Sequence, residues 1–551
     1  VTYSAGPAVS ATPNSFEESN GRVGPEFRGN KLLANSTNGV FIAIATEFGS
    51  PLDKLDVSAR FASTEVTYVL QENLVIAGGS GSYYEDENGD IRARASGRLQ
   101  IDPGVVVKLQ GSRIELERGA SQLIAEGVGN DRVIFTSLGD NRFGAGGDFD
   151  TNGNLPNKFN EEAAWTPNGT LTTGDWGGIV LNAGASASIA DAYLTFGGGE
   201  VPIEGGLDDF NVVEVHQADL RLVNTRIEAN ASGLAETNRN HRGANEAATI
   251  FVRGAQPIIF GNDFRNNAGA MISVNANSLN DLEQGDSGGQ TGFVRRYEQY
   301  DDNRGPLLRG NRVSYDTIDG DALAGLAVRA EEITVESVWD DTDIVHVVTD
   351  EIIVNNFHTA TGLRLQSDTA ASLVVKLDGP DAGFTASGEL LDIDDRIGGT
   401  VQVVGQPGFP VVLTSLADDS IGASVDLLGF PVTDTNVDGT TTTPASGDWR
   451  SLKFLPLAND RNVAVLNETE LPYTSGQDDN NVVISAEALG ILAPNYATGT
   501  NTWESAQEKT GDENRRQGFE VHGAIAYDDP TDIDIYTFDG YAGSEVWIDV
   551  D

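Results

Sequence analysis

The chain of 551 residues is strongly acidic and contains no cysteine. Lys and Arg number 35 against 83 Asp and Glu, so the formal net charge at pH 7 is −48. A surface of that charge repels nucleic acid and anionic lipid, which excludes both as partners. Cysteine catalysis is excluded too, and no apolar run is long enough for membrane insertion. The length fits two or three domains.

Short strands and turns alternate along the whole chain. The 64 Gly and 19 Pro, with many Asn and Asp, interrupt short runs of Val, Ile and Leu, which is typical of strands joined by turns. Segments 222–233, 258–269 and 307–320 share one order of apolar strand, polar turn, apolar residues two apart and a second turn. That alternation places the apolar side chains on one face of each strand.

The chain contains two copies of one arrangement. Five segments recur in the same order at offsets of 268–284 residues. They pair residues 66–76 with 344–354, 104–109 with 372–377, 133–140 with 411–419, 150–154 with 434–439, and 174–181 with 447–454. Collinear recurrence indicates a duplicated module. We predict a first copy over residues 1–335, with incomplete N-terminal coils, and a second copy over residues 336–480.

These features predict an all-β fold, a right-handed parallel β-helix (solenoid) with long corner loops. Each coil stacks on the previous one around a column of Val, Ile, Leu and Phe, and a loop leaves a corner without disturbing that column. With about 22 residues per coil and a rise of about 4.8 Å, about 400 residues give a rod on the order of 90 Å long. The alternative is a string of β-sandwiches, whose strands pair locally as hairpins.

Three polar segments predict Ca²⁺ sites. Side-chain oxygens recur at every second residue, as in the front half of an EF-hand loop, although the bidentate Glu at position twelve is missing. Gly153 and Gly439 fill the sixth position, where the loop turns sharply. The alternative is a solvated cluster that only forms a turn. The predicted ligands are Asp148, Asp150, Asn152 and Asn154, then Asp434, Asn436 and Asp438, and finally Asp86, Asn88 and Asp90.

Two acidic clusters are candidates for polysaccharide chemistry, which uses paired carboxylates or a calcium cluster with a base. One comprises Asp340, Asp341 and Asp343. The other comprises Asp392, Asp394, Asp395 and Arg396. Clusters of this kind arise without function in a chain with 83 acids, so we assign no catalytic residue. Five histidines lack metal-ligand spacing and are interpreted as core or surface residues: His216, His241, His346, His358 and His522.

The end of the chain differs from the rest. Residues 481–551 are predicted to form a linker and the start of a C-terminal β-sandwich. The run DIDIYTFDGYAGSEVWIDVD at 532–551 resembles the bacterial pre-peptidase C-terminal domain family in its acid-x-acid-x-Tyr-x-Phe pattern, its Ala-Gly and its alternating last strand. The resemblance implies the opening of a small sandwich found in secreted proteins, and strands beyond residue 551 to complete it.

Residues 30–470 resemble the β-helix segments of giant, acidic, repetitive surface proteins of bacteria, particularly planctomycetes. The segments that carry the resemblance are SVWDDTDIVHVV, LDIDDRIGGTVQVVGQPGFPVVLTSLADD, TDTNVDG and GDWRSLKF. It implies a secreted or cell-surface structural protein. We expect a calcium-stiffened rod that self-associates end to end through uncapped coils into a fibre or array. A polysaccharide lyase or hydrolase, and an adhesin that binds surface glycans, remain alternatives.

Overall fold

A computed structural model of the chain describes most of residues 27–43, then residues 53–79, 96–153, 171–234, 243–294, 304–316, 322–355, 362–388, 399–455 and 482–492, with Arg239 and short stretches elsewhere. The described residues are all-β and include no α-helix. One turn of 3₁₀-helix covers Ala276–Ser278.

Three long sheets wind around one core. A ten-stranded sheet, here called the long face, contains Leu74–Ile76, Ile114–Leu116, Ile179–Leu181, Val213–His216, Ala248–Arg253, Gly269–Asn275, Ala322–Arg329, His346–Val348, Val374–Leu377 and Val412–Ser415. An eight-stranded sheet, the second face, contains Val40–Phe41, Tyr68–Leu70, Val106–Leu109, Val133–Ser137, Ala192–Thr195, Arg226–Glu228, Asp263–Arg265 and Arg312–Ser314. A seven-stranded sheet, the third face, contains Ser58–Phe61, Arg98–Ile101, Gln122–Glu126, Ser186–Ala190, Asp219–Val223, Ile258–Phe260 and Leu307–Arg309.

Neighbouring strands within each face are parallel and belong to successive coils of the chain. A chain that visits three faces in turn and pairs each strand with its counterpart one coil earlier is a β-solenoid. The prediction of an all-β parallel solenoid is therefore confirmed, and the described long sheets are not the local hairpins that a string of sandwiches requires.

Only the long face runs unbroken through the predicted boundary at residues 335 and 336. Beyond Arg312–Ser314 the other two positions in each coil are taken by new parallel sheets. One contains Glu332–Ile333, Glu351–Val354, Gly379–Ala386 and Trp449–Phe454. The other contains Glu336–Trp339, Gly362–Gln366 and Thr400–Val404. The long face thus joins the two parts of the solenoid.

Smaller sheets complete the described structure. Glu200–Ile203 pairs antiparallel with Gly206–Asp209, and Tyr84–Glu85 pairs antiparallel with Ile91–Arg92. Toward the C-terminus, parallel pairs join Val463–Asn467 with Gly518–His522, and Glu487–Leu492 with Arg515–Arg516 and Tyr536–Asp539. These described C-terminal strands are parallel, and the predicted sandwich after residue 481 stays a prediction.

The core is a set of straight columns along the axis. One column on the long face follows the strand register through side chains that are each at most 2% exposed: Ile76, Leu116, Leu181, Val215, Val252, Val274, Val328, Val348 and Leu377. Burying one such side chain contributes roughly 1.5–3 kcal/mol. Every coil therefore adds a rung to one continuous apolar column.

Buried asparagines satisfy the backbone where the chain turns between faces. Asn262 accepts a hydrogen bond from the Thr225 amide at 2.9 Å and donates to the Leu222 carbonyl at 2.9 Å. Asn311, one coil further on, accepts from the Asn262 amide and side chain at 3.1 and 3.0 Å. Buried turns need such partners for their backbone groups, which explains why Asn recurs at the corners.

Coil length is the main departure from the sequence-based estimate. Successive strands of the long face begin from 21 residues apart (Ala248 to Gly269) to 65 residues apart (Ile114 to Ile179) because loops leave several corners. Ten strands at about 4.8 Å spacing span only about 43 Å. The predicted rod length of about 90 Å is therefore too large for this sheet, since much of the chain lies in loops.

Candidate functional site

Two polar segments leave the solenoid after a strand and run back across earlier coils. We name residues 139–153 the first strap and residues 417–440 the second strap. The Asn38 amide donates to the Thr151 carbonyl at 2.7 Å in the first strap, and the Ala324 amide donates to the Thr435 carbonyl at 2.8 Å in the second. Each strap therefore ties its own coil to strands formed earlier in the chain.

A buried lysine clamps the first strap. Lys108 is fully buried in Val106–Leu109, and its Nζ donates to the Asp140 carbonyl at 2.8 Å and to the Phe149 carbonyl at 3.3 Å. The Thr136 hydroxyl donates to the Asp140 carboxylate at 2.6 Å. Burial lowers the pKa of Lys108 to about 8, against the opposing charges of Asp140 and other strap carboxylates. The ammonium form still predominates at neutral pH.

The second strap repeats these contacts on different residues. Lys376, also fully buried, donates from Nζ to the Asp418 carbonyl and to the Thr433 carbonyl, both at 2.8 Å. The Thr414 hydroxyl donates to the Asp418 carboxylate at 2.6 Å. Burial lowers the pKa of Lys376 as well. The segments that matched in sequence thus form the same clamp twice.

The two clamps lie on different faces. Lys108 belongs to the second face and Lys376 to the long face. In each coil of the first copy the long face follows the second face. The strand of Lys376 therefore lies one face further along the coil than its counterpart, the strand of Lys108, in the first copy. Sequence offset alone did not predict this displacement.

The straps explain why the clamped strands are apolar on both sides. Phe143 of the first strap packs on an outer cluster of Val106, Ile134 and Tyr193. The second strap contributes Ile421 and Ala423, which pack against an outer cluster that includes Val345, Val347 and Val374. A strand covered on both faces is expected to be a nearly continuous hydrophobic run.

Three carboxylates converge on the second strap. One oxygen each from Asp419, Asp434 and Asp438 lies within 4.8 Å of the other two. Asp434 accepts the amides of Asp438 and Gly439 at 3.1 and 2.9 Å, which fixes the loop around the cluster. Two oxygens, Oδ1 of Asp419 and Oδ1 of Asn436, are buried without a hydrogen-bond partner among the described residues. Burial and the neighbouring carboxylates, Asp434 first, raise the pKa of Asp419.

This arrangement brings together all three predicted residues of the 434 loop and adds one that sequence reasoning missed. Asp419 lies fifteen residues before Asp434, directly after Val412–Ser415, and the acidic pair at 418 and 419 was the available signal. Carboxylate and amide oxygens around one centre are the ligands that Ca²⁺ prefers.

The first strap carries fewer charges at the corresponding positions. Asn141 stands where the second strap has Asp419, and Asp150 stands where it has Asp434. Asn141 is fully buried, and neither atom of its amide has a partner in the described part of the chain. The Asp150 amide donates to Asp148 at 2.9 Å, and Asn152 is half-buried nearby. The other predicted ligands, Asn154, Asp86, Asn88 and Asp90, lie outside the described residues.

The two strap turns differ at one pair of corresponding residues. Gly153 has φ +69°, and its counterpart in the second strap is Val437, with φ +52°. Gly439, in the sixth position of its own loop, has φ +76°. A β-branched residue in this region is strained, and Val437 is 5% exposed within the core.

The first acidic cluster of the sequence lies at a buried corner, which we name the acidic corner: Trp339, Asp340, Asp341, Asp343 and His346. The indole of Trp339 and the imidazole of His346 are stacked, with centroids 5.2 Å apart. His346 Nε2 lies 3.9 Å from Oδ2 of Asp341. Asp340 and Asp341 are 2% and 1% exposed, and the rings of Trp339 and His346 are fully buried. The carboxyl oxygens of Asp340 and Asp341, both ring nitrogens of His346 and the indole nitrogen of Trp339 have no hydrogen-bond partner among the described residues.

Burial controls the protonation of the acidic corner. It raises the pKa of Asp340 to about 8 and lowers the pKa of His346 to about 3. Burial and the adjacent Asp340 and Asp343 raise the pKa of Asp341 well above its usual range. The charges of Arg304 and Arg309 offset this only in part. The backbone amides of Arg304 and Leu308 approach the two carboxyls, and the backbone of Ile344 approaches His346, without hydrogen-bond geometry. Burial therefore favours the uncharged forms of these groups.

The corresponding corner of the first copy has no counterpart of the two buried acids, since Ala62 and Ser63 stand where the second copy has Asp340 and Asp341. Phe61 and Tyr68 are stacked there with centroids 4.4 Å apart, in the positions of Trp339 and His346. The hydroxyl of Tyr68 accepts the amide of Ser63, which corresponds to Asp341, at 3.1 Å. The coil therefore turns without a buried acid at this point.

The remaining candidate residues of the sequence analysis, where the structure describes them, belong to neither the straps nor the acidic corner. His216 lies 3.0 Å from the buried Glu214, which also pairs with Arg239 through both carboxylate oxygens. Although burial acts in the opposite direction, His216 and Arg239 lower the pKa of Glu214 to about 2. His522 ends the strand Gly518–His522. Residues outside the description are His241, His358, Asp392, Asp394, Asp395 and Arg396.

No protein-family model, no curated protein and no solved structure matches the chain. The resemblances to bacterial surface proteins and to the pre-peptidase C-terminal family therefore stay predictions. Within the described ranges there is no helix with the length and apolar character needed to cross a membrane.

Proposed function

We propose that the protein is an extracellular structural element, a right-handed β-solenoid rod that calcium stiffens at its straps and that joins end to end into a surface fibre or array. The observation that supports this most strongly is the strap itself, which is built twice and clamped by a buried lysine each time. A strap adds hydrogen bonds between coils that are not neighbours in the sheet ladder, so it opposes bending and unwinding.

Calcium fits the second strap better than the first. Asp419, Asp434 and Asp438 supply three carboxylates, whereas Asn141 replaces one of them in the first strap. Ligand charge count tunes calcium affinity in oxygen-lined loops. Lys376 neutralises part of the charge of these carboxylates, and a bound cation would offset the burial and the repulsion that raise the pKa of Asp419.

Exposed apolar side chains on the outer strands of two sheets support association through those strands. Val403 is 46% exposed on Thr400–Val404, the final strand of its sheet, and Phe454 is 50% exposed on Trp449–Phe454, the final strand of the other. Unpaired strand edges with apolar side chains are templates for further pairing. A second copy of the chain would extend both sheets.

The calcium part is tested by thermal unfolding of the full chain in EDTA and in rising Ca²⁺. We expect Ca²⁺ to raise the Tm of the wild type but not of Asp434→Asn/Asp438→Asn. The double variant Asp56→Asn/Asp219→Asn, which removes two exposed acids elsewhere, controls for net charge. A Tm that is independent of Ca²⁺, or an equal Ca²⁺ response in all three proteins, would reject calcium at the strap.

The assembly part is tested by electron microscopy and light scattering at high protein concentration with Ca²⁺. End-to-end particles are expected for the wild type, and single particles for Val403→Lys/Phe454→Lys, whose exposed side chains tolerate the change. If the wild type stays monomeric under all conditions, the rod does not assemble through this end.

A further inference from the structure

The acidic corner contains more unsatisfied polar atoms than a closed protein site tolerates. Leaving one buried polar group without a hydrogen bond costs roughly 1–3 kcal/mol, and more for a charged group. Here the carboxyls of Asp340 and Asp341, the imidazole of His346 and the indole of Trp339 are buried, with no hydrogen-bond partner among the described residues. Two of these groups also lie together, because Nε2 of His346 is 3.9 Å from Oδ2 of Asp341, and a single missing partner between them would satisfy both.

The first copy shows that the fold does not require these groups. Phe61, Ser63 and Tyr68 occupy the same corner as a stacked pair with one satisfied hydroxyl. Compared with that arrangement, the second copy adds buried polar atoms without partners, which the stacking of the coil does not require. The difference between the copies is therefore one of binding chemistry.

We propose that the acidic corner binds one divalent transition-metal ion, with Asp341 and His346 as ligands and Asp340 as the neighbouring charge. Imidazole with carboxylate suits Zn²⁺ and related ions better than Ca²⁺ or Mg²⁺. The 3.9 Å between Nε2 of His346 and Oδ2 of Asp341 accommodates an ion bonded to both at about 2.0–2.2 Å. The neutral imidazole is the form that ligates a metal.

The local charge agrees with a divalent ion. The charges of Asp340 and Asp343 act on Asp341, the charge of Glu283 acts on Asp340, and the cations near these carboxyls are Arg304 and Arg309. With all four carboxyls ionised, the two guanidinium groups leave a surplus of two negative charges. The acidic corner shares no residue with the straps, so the test of this proposal does not depend on whether the straps bind calcium.

The test uses the full chain, stripped with EDTA and then loaded by slow incubation or refolding with Co²⁺ or Zn²⁺. We expect one tightly held ion per chain, a visible d–d absorption with Co²⁺ that Zn²⁺ abolishes, and a higher Tm with Zn²⁺. Asp341→Ser/His346→Tyr recreates the residues of the first copy and is expected to stay folded while the absorption disappears. Its Zn²⁺ affinity is expected to fall by more than the roughly 10–100-fold that loss of an outer-shell partner costs.

Two controls keep the result specific. Asp434→Asn/Asp438→Asn removes the strap carboxylates and is expected to retain the Co²⁺ absorption. His346→Gln serves as a second variant if the double substitution does not fold, as judged by circular dichroism. Absence of a tightly held ion in the wild type, or an unchanged Co²⁺ spectrum in folded His346 variants, would overturn the proposal.

Discussion

The two copies of the module keep one feature and change another. The lysine clamp recurs with the same donors and acceptors, although Lys108 lies on the second face and Lys376 on the long face. The corner that precedes each clamp changes from Phe61 and Tyr68 to Trp339 and His346 with two buried acids. The lysine clamp is therefore a feature that both copies share, whereas the two buried acids are specific to the second copy.

The clamp is determined by local sequence and not by the face that carries it. A buried ammonium group must find acceptors, and the strap supplies two carbonyl oxygens in both copies. The acidic corner follows no such requirement, since its counterpart closes with apolar groups and one hydroxyl. The two copies therefore repeat the hydrogen bonds of the clamp but carry different polar groups at the corner.

The largest expected effect comes from removing a clamp. Lys108→Met or Lys376→Met leaves two carbonyl oxygens buried without a donor, at roughly 1–3 kcal/mol each. We expect a loss of about 3 kcal/mol in the free energy of unfolding and faster amide exchange in the strap alone. Lys54→Met, whose side chain is 38% exposed, is the control and is expected to change stability by less than about 1 kcal/mol. Equal effects at Lys54 and Lys108 would show that the clamp is unimportant.

A second effect concerns the turn in the first strap. In Gly153→Val the new residue must adopt φ +69°, and its Cβ would lie 2.9 Å from the Asn35 carbonyl oxygen. Left-handed backbone at a non-glycine residue costs on the order of 1–3 kcal/mol, so we expect a loss of about 2 kcal/mol in chemical unfolding. Gly408 has φ +87° and open space around it, so the stability loss of Gly408→Val measures the cost of the backbone conformation without a steric clash. A stability equal to that of the wild type would contradict the strap geometry.

A third effect is the pH dependence of the acidic corner, measured in EDTA. Asp340 binds its proton more tightly when folded, so stability is present below about pH 4 and is lost as pH rises toward about 8. His346 acts in the opposite sense, because its folded pKa of about 3 lies below its unfolded pKa, and stability rises with pH between about 3 and 6.5.

Above pH 6.5 only the carboxyl groups of this corner contribute, and Asp341 and Asp343 change in the same sense as Asp340. We expect Asp340→Asn to reduce the loss of stability between pH 6.5 and 8 by at least about 1.4 kcal/mol, the equivalent of one pKa unit. Ser63→Ala in the first copy should leave the pH profile unchanged. Parallel profiles for the wild type and Asp340→Asn would contradict the burial of this carboxyl.

The smallest effect is expected at Val437. Val437→Gly relieves a strained φ of +52° but removes a side chain that is 5% exposed in the core. Strain and burial are of similar size, roughly 1–3 kcal/mol each, so we expect a net change below about 1 kcal/mol. Thermal unfolding alongside Gly153→Val measures the contrast. A loss as large as that of Gly153→Val would show that burial of Val437 outweighs its strain.

The sequence predicted the architecture because each coil repeats a local pattern. Alternating apolar residues, corner asparagines and collinear repeats all survive in the parallel sheets and in contacts such as that of Asn262 with Thr225. The length of the rod was overestimated because loop lengths at the corners are not periodic. The displacement of the second copy by one face was invisible, since a sequence offset does not record which face a strand joins.

The candidate calcium site was predicted only where its proposed ligands are close in sequence. Asp434, Asn436 and Asp438 share one loop, whereas Asp419 reaches the cluster through the fold of the strap. Asp340 and Asp341 were recognisable as a cluster, but their burial was not, because an acidic run is usually solvated. His346 joins them only because the coil turns between Glu336–Trp339 and His346–Val348.

The central claim is that both copies form one continuous stack, with the second strap lying on a strand of the first. Val425 of that strap pairs with Arg312, and its carbonyl accepts the Val313 amide at 2.9 Å. The chain has no native cysteine, and paired strand positions lie within disulfide range. Mild oxidation of Arg312→Cys/Val425→Cys, followed by mass spectrometry of tryptic peptides, tests the contact directly. We predict an intramolecular disulfide in most molecules, and free thiols or only intermolecular disulfides would contradict the continuous stack.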